Sequence, residues 1–133
     1  MKTLALIAFG IALAASLTAQ PLPAWLEGDW EGIGDQSNTQ TQWLTLLSYH
    51  PPKERPAVTY PDLGCSGHWE LEQMSTDRLL LQEHITRNSG RCSNLDWIYI
   101  RPQGTDTLLV HFAHVWARER IIAEAVLVRR SLP

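Results

Sequence analysis

The chain offers few groups that could do chemistry: five histidines, fourteen acidic residues and two cysteines among 133 residues. Gly64-Cys65-Ser66-Gly67-His68 sets a hydroxyl and a thiol near an imidazole, as a nucleophile motif does. The spacing is not Gly-x-Ser-x-Gly, and no strand-to-helix elbow is expected there, so Ser66 reads as a turn serine. Glu70 and Glu72 stand two apart on a predicted strand and share a face, as a glycosidase pair could. In the register derived below that face meets solvent, where carboxylates are ordinary. His68 and His84 lie across from one another in the same register, close enough to share a metal. Glu70 could add a third ligand, but its cross-strand neighbour is Gln82, and amides ligate metals poorly. His111 and His114 are three apart, which on a strand sends them to opposite faces. His50 precedes two prolines in a loop, and no phosphate-binding glycine loop is present. The expectation is therefore no catalytic residue, no metal site and no cofactor.

The cysteines point to architecture. Lys2 precedes an apolar and small-residue run, Thr3 to Ala15, which ends in Ser16-Leu17-Thr18-Ala19-Gln20. A basic start, a short apolar core and a small residue at the cut read as a secretory signal over residues 1–19. Its apolar core falls short of the roughly 20 residues a membrane span needs. Cleavage after Ala19 leaves 133 − 19 = 114 residues, a single domain over 20–133. The expected product is secreted or periplasmic and soluble. In such an oxidising compartment two cysteines usually pair. A Cys65–Cys92 bridge closes a loop of about 27 residues, worth roughly 3–4 kcal/mol in the chain-entropy model. Without Lys2 the chain has 10 basic and 14 acidic residues, a net of −4. That balance offers no footprint for nucleic acid or an anionic membrane surface.

Eight short strand-like runs carry these residues: Asp29–Gly34, Thr41–Tyr49, Ala57–Tyr60, Gly67–Gln73, Arg78–Arg87, Asn94–Arg101, Thr107–Trp116 and Arg120–Arg129. Turn-rich stretches such as GDQSNT, HPPKERP, MSTD and RPQGTD separate them. The pattern predicts an all-β fold, an eight-stranded antiparallel up-and-down, calycin-like barrel or meander with one disulfide. The last run, ARERIIAEAVLVRR, could instead form a terminal helix.

The hairpin around MSTD can be placed in register by setting Gln73 opposite Leu79. Trp69, Leu71, Leu79, Leu81, Glu83 and Ile85 then share an inner face, while His68, Glu70, Glu72, Leu80, Gln82 and His84 share the outer one. Cys65 falls near Arg87, so the disulfide clamps the hairpin's far end. Glu83 is the anomaly, an acid between Leu81 and Ile85 and opposite Trp69. An inward carboxylate needs donors or a cation; Arg101 and Arg129 are the expected partners, with a ligand anchor as the alternative. Six tryptophans are the second unusual feature. Trp30, Trp69 and Trp116 suit interior plugging. Trp43, Trp97 and Tyr99 compete with Leu44, Leu46, Ile98 and Ile100 for one face. The set left outside makes an apolar patch for a partner.

GDWEG, Gly28 to Gly32, resembles the Gly-x-Trp opening of lipocalin-like and avidin-like barrels, whose Trp plugs one end. The series Tyr60-Pro61, Leu63-Gly64-Cys65-x-Gly67, Glu83-x-Ile85, Gly90, Cys92 and Trp116 is similar to small bacterial extracytoplasmic β domains, some of them appended to membrane Ser/Thr kinases. The resemblance covers most of the chain after the signal. It implies a disulfide-stapled β-barrel or meander with a sensing or binding role and no catalysis. No kinase or membrane segment accompanies it here, so signalling does not carry over. The functional expectation is a non-enzymatic module that captures a small apolar or amphipathic ligand at the barrel mouth, lined by Glu83, Trp69, Trp30, Trp116 and Arg129. The alternative is an envelope protein-interaction or inhibitor domain using Trp43, Trp97 and Tyr99; a secreted hydrolase is the weakest reading.

Overall fold

A computed structural model describes residues 21–53 and 55–130. The expected signal over 1–19 lies outside the described residues. Eight strands follow one another around a closed, antiparallel, up-and-down barrel. They are β1 (Gly28–Gln36), β2 (Thr41–Tyr49), β3 (Ala57–Tyr60), β4 (Cys65–Met74), β5 (Leu79–Arg87), β6 (Trp97–Gln103), β7 (Thr107–Ala113) and β8 (Ile121–Arg129). The final run is a strand, not a helix. Ala123, Ala125 and Leu127 enter the core while Glu124, Val126 and Val128 face out. That period of two matches a half-buried strand.

The β4–β5 pairing follows the predicted register over its middle: His68 faces His84, Trp69 faces Glu83, and Leu71 faces Leu81. Irregularities between Ser66 and Gly67 and between Leu71 and Gln73 slip it by one residue, so Gln73 meets Leu80 and Met74 meets Leu79. Bulges of this type raise the local twist that closure of a barrel requires. A Cβ on Gly67 would collide with the His84 carbonyl, so only glycine admits this close approach of β4 to β5.

One end of the barrel is shut. A 3-10 turn, Ala24–Leu26, crosses it and buries Leu26 completely. Trp30 plugs the interior and donates its Nε1–H to the Leu26 carbonyl at 2.9 Å. Arg129 lies 4.2 Å over the Trp30 ring and donates through Nη1 to the Glu27 carbonyl at 2.5 Å. Above this plug the core continues through Leu47, Val58, Leu81, Ile98, Ile100, Leu108, Val110 and Leu127. The other end carries the β1–β2, β3–β4, β5–β6 and β7–β8 connections. There the Cys65–Cys92 disulfide, with Cα atoms 6.4 Å apart, ties the start of β4 to the β5–β6 loop. The bridge is compatible with an extracellular location, and no described helix is long and apolar enough to cross a membrane.

Candidate ligand pocket at the open end

Glu83 is the group around which the open end is built. The alternation of β5 points it inward, and it is only 3% exposed. Trp69, its cross-strand partner, donates Nε1–H to Oε2 at 2.8 Å, and the Tyr60 hydroxyl donates to the same oxygen. The β5–β6 loop secures its backbone: Glu83 donates to the Asp96 carbonyl and accepts from Leu95 N–H, both at 2.9 Å. Leu95 adopts a left-handed φ of 64° to make that turn. Asn94 Oδ1 stabilises the turn by accepting from Ile85 and Leu95 N–H at 2.8 and 2.9 Å.

Among the described residues no arginine forms an ion pair with this acid. Burial pushes the Glu83 carboxyl up to about 7, partly offset by the bonds from Tyr60 and Trp69, with nearby Asp96 adding to the rise. Burial, then the Glu83 charge, raises the Tyr60 phenol well above its ordinary value. Asp96 is also buried and also raised, first by desolvation, while Ser93, His114 and the Val115 backbone hold it partly down. Its Oδ1 is buried with no hydrogen-bond partner among the described residues.

Over these acids opens a cavity of about 370 Å³. That is within the roughly 300–1,000 Å³ of small-molecule sites. Its apolar walls are Trp43, Tyr60, Leu63, Phe112 and Ile122; Glu83 and Asp96 supply inner polar groups, with Arg91 and His114 also lining it. Trp43 and Trp69 both meet Phe112 edge-to-face, with centroids 5.9 and 6.4 Å apart. This rigid aromatic wall extends from the fully buried floor to the mouth. Gly34 makes room for it, since a Cβ there would collide with the Trp43 indole.

The structure keeps part of the predicted site and redistributes the rest. Glu83 and Trp69 are together, as expected. Trp30 and Arg129 belong to the plug at the opposite end, because both lie in the layer where β1 starts and β8 finishes. Arg129 therefore cannot neutralise Glu83, and Arg101 is exposed on β6. Trp116 is not a plug: β7 stops at Ala113, the inward alternation ends with it, and Trp116 stands 87% exposed in the following turn. The expected outer patch also divides. Trp43 points into the barrel while Leu44 and Leu46 face outward on β2. Trp97 and Tyr99 do face outward on β6, but the β7–β8 connection covers them. Trp97 Nε1–H donates to the Val115 carbonyl at 3.2 Å, the Tyr99 hydroxyl donates to the Arg118 carbonyl at 2.9 Å, and Arg118 stacks 4.2 Å over Trp97.

Sequence reasoning missed Tyr60, Phe112 and Asp96. A signal existed for each: Tyr60 ends a short alternating strand opposite Cys65, and Phe112 continues the inward series of Leu108 and Val110. Asp96 lies within the predicted run Asn94–Arg101, whose alternation with Ile98 and Ile100 turns it inward, although the strand itself begins at Trp97. No protein-family model matches the chain, and no curated protein matches it.

Proposed function

We propose that this protein is an exported, non-enzymatic binding module that holds a small amphipathic ligand in the open end of its barrel. The apolar body of the ligand packs on Trp43, Phe112 and Ile122, and a hydrogen-bond donor, an amine or hydroxyl, reaches Glu83. The observation that carries this reading is the buried carboxylate, without an ion-pair partner among the described residues, at the floor of an aromatic-lined cavity. An acid in that position costs stability, and a ligand donor offsets the cost. The binding role implied by the Tyr60-to-Cys92 series agrees with it. The alternative, a protein-interaction or inhibitor domain, loses Trp43 from its patch and rests instead on exposed Trp116, Ile33, Val126 and Val128.

The test is titration of the signal-free protein with N-phenyl-1-naphthylamine, an apolar amine whose fluorescence rises on leaving water. Saturable enhancement is expected, with quenching of tryptophan emission, and Ile122→Trp at the cavity wall should abolish both. Enhancement that survives Ile122→Trp unchanged places the probe elsewhere and refutes the reading.

A further inference from the structure

A second cluster lies on the outer wall, away from the cavity. His68 and His84 are direct cross-strand partners on β4 and β5. Their rings stack 5.4 Å apart and within 7° of parallel. Glu70, two residues further along β4, faces the same way. Its Oε2 lies 3.0 Å from His68 Nε2 and 3.3 Å from His84 Nε2. All three potential ligand atoms fall within 4.8 Å of one another.

We propose that His68, Glu70 and His84 form a Zn²⁺ site on the outside of the barrel. A tetrahedral zinc with bonds of about 2.0–2.1 Å sets its ligand atoms roughly 3.3 Å apart. Two edges of this triangle already approach that length, so the ion needs little rearrangement of Glu70. The imidazoles must tilt out of their stack to aim both Nε2 lone pairs at one point, a ring rotation that partly exposed side chains allow. Paired strands of a closed barrel hold the three Cα positions, so the site is largely built before the metal arrives. Two imidazoles and a carboxylate suit zinc and its transition-metal neighbours; calcium and magnesium prefer all-oxygen sets. Three protein ligands leave a fourth position for water or for a group on a partner.

A cation already sits beside this cluster. Arg55 Nη1 is 3.0 Å from His68 Nε2 and 3.6 Å from Glu70 Oε2. Its guanidinium holds two of the three ligand atoms and must swing aside, which its exposure permits. Arg55 is thus the competitor that sets how tightly zinc binds.

Calorimetric titration of the signal-free protein with ZnCl₂ at neutral pH tests the proposal. One ion per chain is expected. His68→Ala, His84→Ala and Glu70→Gln should each weaken binding roughly tenfold or more, as loss of a first ligand exceeds the usual effect of outer partners. Arg55→Ala should tighten it several-fold. His111→Ala is the control, because His111 pairs with Glu124 at 2.7 Å and no third ligand stands beside them among the described residues. Far-ultraviolet spectra check each fold; should one histidine variant fail to fold, the other and Glu70→Gln decide. Co²⁺ should give the intense visible bands of a four-coordinate ion. Non-saturating binding overturns the site, as does an affinity that His84→Ala and Glu70→Gln leave unchanged.

Discussion

Replacing Glu83 with glutamine isolates the cost of burying its charge. The carboxyl titrates near 7 in the fold against an ordinary value of 4.5. Between those values the folded protein keeps a proton that the unfolded chain has lost. Stability therefore falls as pH rises through the window, the reverse of a salt-bridged acid. With the carboxyl pushed up from 4.5 to about 7, linkage weakens the fold by roughly 3 kcal/mol above the window, relative to below it. Glutamine carries no charge at any pH, so Glu83→Gln removes this slope. Its amide NH₂ also enters a site arranged by two donors, Tyr60 and Trp69, at a cost of about 1–2 kcal/mol. The variant should then be less stable than wild type near pH 5 and more stable by about 1–2 kcal/mol near pH 8.5. Urea denaturation followed by tryptophan fluorescence across that range measures the crossing. Groups remote from Glu83 titrate alike in both proteins and cancel in the difference; Asp96 and Tyr60, which are coupled to its charge, add to the slope that the substitution removes. A constant gap between the two curves would refute a buried carboxylate whose two donors only partly offset its desolvation.

Cys65→Ala, by chemical denaturation under oxidising conditions, should cost about 2–5 kcal/mol. Peptide mapping that finds Cys65 and Cys92 as free thiols in protein purified under oxidising conditions would remove that expectation. Gly34→Ala forces the Trp43 ring away from β1 and should destabilise by about 1–3 kcal/mol, with a shift in tryptophan emission. Arg129→Ala removes the stacking on Trp30 and the bond to Glu27 at the closed end. A loss of roughly 1–3 kcal/mol is expected in thermal melts, with probe binding at the open end unchanged. If Arg129→Ala abolishes binding, the division of the barrel into plug and pocket is wrong.

Alternation made most of the barrel legible in the sequence. Strands β2 and β3 have the expected bounds, and Trp69, Leu81 and Glu83 face inward because a period of two leaves no other choice. The bulges were not legible, since they depend on how two strands fit and not on either one alone. The misplacements have separate causes. β7 ends three residues before Trp116, Trp43 shares the inward face of β2 with Thr45 and Leu47, and Arg129 lies at the closed end. Up-and-down order decides that: β1 and β8 run together, so Arg129 meets Trp30 and not Glu83. The partners of Glu83 differ from the expected arginines for a chemical reason. A buried acid calls for a counter-group, and sequence offers arginines first; the fold supplies a phenol and an indole N–H instead.

The two ends of the barrel differ in how their polar groups are treated. At the plug the Trp30 indole N–H is answered by a carbonyl, and the Arg129 guanidinium by a carbonyl and an aromatic face. At the mouth two acids are buried near one another, and Asp96 Oδ1 has no partner among the described residues. The fold holds this arrangement because the disulfide anchors the Cys92 end of the loop that carries Asp96 and clamps the Glu83 backbone. Its roughly 3–4 kcal/mol is comparable to the roughly 3 kcal/mol that ionising Glu83 costs. An apolar residue at position 83 would fill the same core without that opposition. The acid is the feature that packing alone does not require, and it faces a cavity where an incoming donor would find both a carboxylate and an aromatic wall.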